Sequence, residues 1–250
     1  MIIGVIPARY ASTRLPGKPL IDLCGQSMIE RVWRAASACT LLDRVIIATE
    51  DERVIADAQR FGAEAYLTSE DLVSGTDRCD ALIRQLHLRP DVVVNIQGDE
   101  PLLSPNVITH IVQALRSSGA DVATAMSRIL FAEELASASV VKVVVDSSNN
   151  ALYFSRSPIP HLRNEVDAAT WHTAHTFWKH IGIYAFTLPA LHRHVSLPPS
   201  PLERAELLEQ LRLLENGARF TCVETEQLFL AVDTAQDAER VRDVLRAQQH

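Results

Sequence analysis

Three cations, Arg9, Arg14 and Lys18, lie within ten residues near the start of the chain. They belong to the stretch Pro7-Ala8-Arg9-Tyr10-Ala11-Ser12-Thr13-Arg14-Leu15-Pro16-Gly17-Lys18-Pro19-Leu20, a loop rich in Gly, Pro, Ser and Thr. Arginine offers a planar fork to phosphate oxygens and lysine a mobile point charge. Gly17 lets backbone approach closely. The pattern suits a triphosphate, although the G-x-x-x-x-G-K-[ST] loop is absent. The plain alternative is a basic loop that sits in water. A second cluster reads Asn95-Ile96-Gln97-Gly98-Asp99-Glu100-Pro101. Asp99 in such a turn can hold a hard cation that bridges phosphate oxygens, or it can be the acidic exit of a strand. In Ser74-Gly75-Thr76-Asp77-Arg78, small hydroxyls at the start of a helix suit ribose, base or phosphate. Ser74 or Thr76 serves equally well as an ordinary helix cap.

The elements around these clusters explain how they can meet. Ile2–Ile6 reads as a buried strand that delivers the cationic loop at its carboxyl end, where open α/β sheets bind ligands. Val45–Ala48, Ala63–Leu67, Val92–Ile96 and Val122–Ala125 read as further strands. Helical spacing marks Met28–Leu42, Glu52–Phe61 and Pro105–Ser117. Short apolar strands alternating with helices predict parallel βαβ units. After about Ala125 the pattern changes to strands Val140–Val145, Ala151–Phe154 and Ile181–Phe186, with a turn at Asn149-Asn150. Helices over Pro201–Asn216 and Ala235–Gln248 close the chain, the first with a buried stripe of Leu207, Leu208, Leu211 and Leu214, and Leu228–Ala231 between them reads as a strand. The expected fold is one α/β domain with a mostly parallel sheet flanked by helices and a smaller mixed β lobe. Its nucleotide-binding core covers about 1–125 and 201–250, and the smaller lobe about 126–200.

Composition excludes several classes. The chain has 250 residues, is 47% hydrophobic and carries a formal net charge of −7. That balance disfavours nucleic acid and anionic membranes as partners, because both repel it. No apolar run is long enough to cross a membrane, and the opening run breaks at Pro7 before Arg9. Cys24, Cys39, Cys79 and Cys222 lack metal spacing and read as small apolar residues. The cytoplasm is the expected compartment.

The cationic loop resembles the R-x-x-S-x-R-x-P-G-K-x-L motif of sugar-nucleotide cytidylyltransferases, and is most similar to that of the 3-deoxy-manno-octulosonate (Kdo) cytidylyltransferases. Further similar segments run from Gly4 to about Arg242. They are Gln97-Gly98-Asp99-Glu100-Pro101, Ser74–Arg78, Val141–Val144, Ala151–Arg156, His180–Tyr184, Pro199–Glu203, Leu208–Arg212 and Val232-Asp233-Thr234. The resemblance implies a GT-A-like fold, CTP and Kdo as substrates, Mg2+ as cofactor, CMP-Kdo and pyrophosphate as products, a role in lipopolysaccharide biosynthesis, and a homodimer.

It also implies roles. Ala8, Arg9, Arg14, Lys18, Ser74, Gly75, Arg78 and Asp99 would meet the nucleotide, and Asp99 and Asp233 the metal. Lys18, Asp99 and Asp233 would be catalytic. Asp233 has a second possible role as cap of the helix that follows, and the two roles are compatible. Gln97, Arg156, His180, Tyr184, Glu209 and Gln210 would meet the sugar acid, which needs a cation or donor for its carboxylate and partners for its hydroxyls. His161, His172, His175, His192 and His194 read as surface residues. The chain departs from the family pattern at Glu50, where Asp is usual, at His161-Leu162 in place of Trp-Asp, and at Leu230-Ala231, where Gly is common. Activation of another acidic or 8-amino sugar, uridylyl or guanylyl transfer, and non-catalytic nucleotide binding are the alternatives.

Overall fold

The computed structural model describes residues 1–11, 15–164 and 167–248, so Arg14 lies outside the described residues. The chain forms two compact units, 1–109 with 227–250, and 110–226. The second therefore includes 110–125 and 201–226.

In the first unit β1 (Ile2–Ala8) is almost wholly buried, as a strand covered on both faces must be. It is followed by α1 (Met28–Ser37), β2 (Arg44–Thr49), α2 (Glu52–Arg60), β3 (Glu64–Leu67), α3 (Gly75–Gln85), β4 (Val92–Asn95) and the start of α4 (Pro105–Ser118). The sheet order here is β3-β2-β1-β4, parallel at every pairing. β1 thus sits inside the sheet and sends its carboxyl end to the same edge as β2 and β4. Ser27 caps α1, and the helix stops at Ser37, short of Leu42, because 39–42 turn tightly through Leu42 N–H to Cys39 O. Gly62, at φ 78°, follows the end of α2 in the left-handed conformation that glycine adopts freely.

The second unit holds β5 (Val122–Arg128), α5 (Ala132–Ala136), β6 (Lys142–Val145), β7 (Ala151–Ser155), α6 (Trp171–Ala174), β8 (Trp178–Thr187), α7 (Leu188–Ser196), α8 (Pro201–Glu206), α9 (Gln210–Glu215) and β9 (Phe220–Glu224). β5 pairs antiparallel with β8 and parallel with β9, and β6 pairs antiparallel with β7 and β8. The β6–β7 hairpin turns at Asn149, whose positive φ (60°) suits asparagine. Helix α10 (Ala235–Ala247) belongs to the first unit, where Val241 and Leu245 pack with Leu23, Met28, Leu102 and Val232. The mostly parallel α/β architecture with a mixed β region is the one the pattern predicts.

Two expected elements differ. The helix over Pro201–Asn216 is broken in two by Leu207, which adopts a left-handed conformation (φ 52°). Arg212 explains the break. It donates to both Glu203 oxygens at 2.8 and 2.6 Å, whereas nine residues of straight helix would hold the pair about 13 Å apart. Leu207 is consequently 76% exposed instead of buried, and Leu213 takes the core position expected of Leu214. The strand expected at Leu228–Ala231 does not form, and the ladder is completed by Phe220–Glu224. His194 is buried and not at the surface.

Candidate functional site

Gly17 shapes the cationic loop. Its left-handed backbone (φ 72°) donates to Tyr10 O at 3.2 Å and starts the short turn of helix at Lys18–Leu20. Lys18 is thereby turned inward. Its ammonium donates to Asp99 Oδ2 at 2.6 Å and to Asp233 Oδ1 at 3.1 Å. Asp99 follows β4, and its main-chain oxygen accepts Val232 N–H at 2.9 Å. That one backbone bond holds Asp233 beside Asp99, across 134 residues of sequence. Asp233 is not the cap of α10. Thr234 fills that role, accepting Asp237 N–H while Asp237 accepts Thr234 N–H. Burial opposes the charge on Lys18, but the two carboxylates outweigh it and hold the ammonium pKa above its ordinary value.

These residues line a cavity of about 370 Å³ with Ala8, Arg9, Ser74, Gly75, Arg78, Gln97 and Gly98. Gly98 is required there, since a Cβ would lie 2.7 Å from Pro7 O. Arg9 is exposed and makes no hydrogen bond or ion pair with the described residues, leaving its fork free for an anion. Ser74 caps α3, in a reciprocal box with Asp77, and it also borders the cavity. Arg78 is buried against Glu50 (3.3 Å) and Thr68 Oγ1 (2.5 Å); burial lowers its pKa, with Glu50 opposing the shift.

Two carboxylates escaped sequence reasoning. Glu50, noted only as a departure from the family, accepts Tyr10 N–H at 2.8 Å and Ala11 N–H at 3.4 Å while pairing with Arg78. It ties the cationic loop to α3, and the longer arm of Glu over Asp supplies reach. Glu100 sits beside Asp99 with Oε2 buried and without a hydrogen-bond partner among the described residues. Burial, reinforced by the Asp99 charge, pushes its pKa up to about 8. The doublet Asp99-Glu100 in a turn was the available signal.

Asp99 and Asp233 converge on one cationic atom, which is the arrangement a divalent ion needs from a protein that supplies two carboxylates and leaves the rest to phosphate and water. Among the described residues no group of three or more His, Cys, Asp or Glu is placed to hold a metal. Two carboxylates on one atom fit a hard divalent ion whose remaining ligands come from outside this pair.

The remaining candidates lie in the second unit. Tyr184 is 5% exposed, and its ring lies 5.4 Å from that of His180, which also meets Phe154 edge-on at 4.9 Å. Burial pushes the His180 pKa down to about 3, so the ring is neutral. Gln210 is buried, with its Nε2 lacking a partner among the described residues, and Glu209 Oε2 lies 3.9 Å from His194 Nε2. Arg156 donates to three main-chain oxygens, Glu206 O, Ala138 O and Leu207 O, at 2.7, 3.0 and 3.2 Å. Its cation is thus fixed in place, with no carboxylate salt bridge among the described residues.

A parallel α/β sheet with a cationic loop after β1 and converging carboxylates at the same edge is the build of a nucleotidyltransferase. The comparisons narrow this. A cytidylyltransferase family profile matches residues 3–225. The chain is 41% identical to the 3-deoxy-manno-octulosonate cytidylyltransferase of Porphyromonas gingivalis, over 99% of this chain and 97% of that one. It is 45% identical to the enzyme of the same name from Anaeromyxobacter sp., over 97% and 96%. A solved structure of CMP:2-keto-3-deoxy-manno-octonic acid synthetase complexed with CTP superposes with a TM-score of 0.91, at 41% identity, over 100% of this chain and 99% of that one. The chain belongs to the 3-deoxy-manno-octulosonate cytidylyltransferase family.

Proposed function

We propose that the chain joins CTP to Kdo, giving CMP-Kdo and pyrophosphate for lipopolysaccharide assembly. The observation that carries the reading is the convergence of Lys18, Asp99 and Asp233 at a cavity bordered by Arg9, in a chain 41% identical to a synthetase solved with CTP. The sugar's anomeric oxygen bonds to the α-phosphorus as the bond to the β-phosphate oxygen breaks, pyrophosphate departs with that bonding pair, and the hydroxyl proton passes to solvent. Such transfer rests on positioning and charge neutralisation. Arg9, Arg14 and Lys18 hold the triphosphate and the departing pyrophosphate. Ala8, Ser74, Gly75 and Arg78 border the nucleotide. Asp99 and Asp233 would hold Mg2+, which when bound would supply charge neutralisation and lower the pKa of the attacking hydroxyl. Gln97, Arg156, His180, Tyr184, Glu209 and Gln210 receive the sugar acid.

Two coarser features support further parts of the reading. No helix among the described residues is long and apolar enough to cross a membrane, and all four cysteines are free, which suits a reducing cytoplasm. Leu130, Phe131 and Leu152 are each about 60% exposed in the second unit, which suits a homodimer contact there. Pyrophosphate release with CTP, magnesium and a panel of 2-keto sugar acids, including 8-amino Kdo, tests the assignment. Turnover highest with Kdo supports it. Turnover only with another sugar, or only with UTP or GTP, overturns it.

A further inference from the structure

Thr124 is fully buried on β5, opposite an irregularity in β8. The register jumps there, from Thr124 facing Tyr184 to Ala125 facing Ile181. The jump brings three groups onto one hydroxyl. Ile183 O lies 2.8 Å from Thr124 Oγ1, Ile181 O 3.1 Å, and His180 Nε2 2.9 Å. A threonine hydroxyl has one proton and two lone pairs, and a carbonyl oxygen can only accept. If that proton pointed at His180 Nε2, two bare oxygen–oxygen contacts would be left in a site closed to water. Pointed at Ile183 O, it satisfies the shorter contact and frees an oxygen lone pair for His180. Nε2 must then carry the imidazole proton. A neutral imidazole has only one, so Nδ1 is left as a lone pair. His180 is only partly buried, and Nδ1 has no hydrogen-bond partner among the described residues. Phe154 and Tyr184 hold the ring plane, so the direction of that lone pair is fixed as well.

We propose that Thr124 is a positioning residue that holds His180 in its Nε2–H tautomer, so that Nδ1 accepts a hydrogen bond from a sugar hydroxyl and cannot serve the sugar carboxylate. This rests on the second unit receiving the sugar. It separates two roles that sequence alone leaves merged: a ring that offers only an acceptor selects a hydroxyl, while the carboxylate falls to a cation or an amide donor. Burial keeps the ring neutral at physiological pH, so the choice of tautomer is not blurred by protonation.

The test is two-bond 15N–1H correlation on histidine-labelled protein at pH 7, with the His180 signals identified by their loss in His180→Asn. A pyrrole-type Nε2 and a pyridine-type Nδ1 are expected, with Nδ1 shifting toward a hydrogen-bonded acceptor when Kdo is added. Protonated Nδ1 overturns the proposal. Thr124→Val should let the tautomers exchange and raise the sugar KM about tenfold while the CTP KM stays within about twofold. Thr124→Ser should restore both the spectrum and the sugar KM. A folded Thr124→Val with an unchanged tautomer or sugar KM also overturns it. If no keto sugar acid is turned over at all, the functional assignment fails, and the tautomer measurement on the wild-type chain still decides the positioning role of Thr124.

Discussion

Glu100→Gln should stabilise the metal-free protein at alkaline pH and do little near pH 5. The pKa of Glu100 in the folded chain is raised to about 8, from 4.5 in the open chain. Below pH 4.5 both states keep the proton and the residue contributes nothing to the pH dependence. Between 4.5 and 8 the unfolded chain gives up its proton while the folded chain holds it. Stability therefore falls as pH rises through this window, and the loss is complete above pH 8. A shift of that size corresponds to roughly 5 kcal/mol at about 1.36 kcal/mol per unit. Water in the open cavity screens part of it, so a difference of about 2–4 kcal/mol above pH 8 is expected. Glutamine keeps the volume and cannot ionise, so its unfolding free energy lacks this slope. Urea titrations of both proteins from pH 5 to 9, with chelator present, measure the two curves. Parallel curves, or a wild type that gains on the variant with rising pH, would refute the reasoning.

Other expectations follow from the same geometry. Asp99→Asn should nearly abolish turnover with the fold intact, and Asp99→Ala/Asp233→Ala should be no slower than the worse single variant, because residues that act as a unit do not add; initial rates and melts on all three decide it. Lys18→Met should raise the CTP KM at least tenfold and spare the sugar KM, as loss of a charge-assisted bond costs about 1.5–3 kcal/mol; a change confined to the sugar would assign the loop to the other substrate. Leu207→Gly should raise stability by about 1 kcal/mol, since glycine adopts the left-handed region without the Cβ clash and the leucine side chain is 76% exposed; a lower melting temperature would show that the exposed side chain has a packing role.

The first unit was legible because its signals are local. A buried strand, a cationic loop and a Gly-Asp turn each declare themselves within about ten residues, and the parallel direction of β1, β2, β3 and β4 follows from βαβ alternation, whereas their spatial order does not. What sequence could not show depends on tertiary contacts. Helical periodicity carried Pro201–Asn216 as one element, and only the Glu203–Arg212 pair reveals why the chain must break at Leu207. The apolar run Leu228–Ala231 looks like a strand, yet Asp233 is placed by one main-chain bond, Val232 N–H to Asp99 O, that no periodicity encodes. His194 lies on the buried face of α7, three and four residues after Leu191 and Ala190, a helical spacing that was open to reading but was not applied to it. Glu50 stood out only as a departure, while its reach to Tyr10, Ala11 and Arg78 is a property of the folded loop.

Charge at the site ties these parts together. One ammonium, Lys18, faces two carboxylates, Asp99 and Asp233, so the trio carries a single excess negative charge before any ligand arrives. Keeping Glu100 protonated up to about pH 8 prevents that excess from doubling. A triphosphate approaching this trio alone meets net repulsion, softened by Arg9 at the rim. A divalent cation shared with the carboxylates reverses the sign to a net positive charge, and the same phosphates are then attracted. Metal and nucleotide must therefore favour each other's binding, by the reciprocity that governs any two linked ligands. The expectation is that CTP binds weakly in chelator and at least tenfold more tightly with magnesium, and that Asp99→Asn removes most of that difference while Glu50→Gln does not. Equal CTP affinity with and without magnesium, measured by titration calorimetry on the wild-type chain, would mean that the carboxylate pair serves only to hold Lys18.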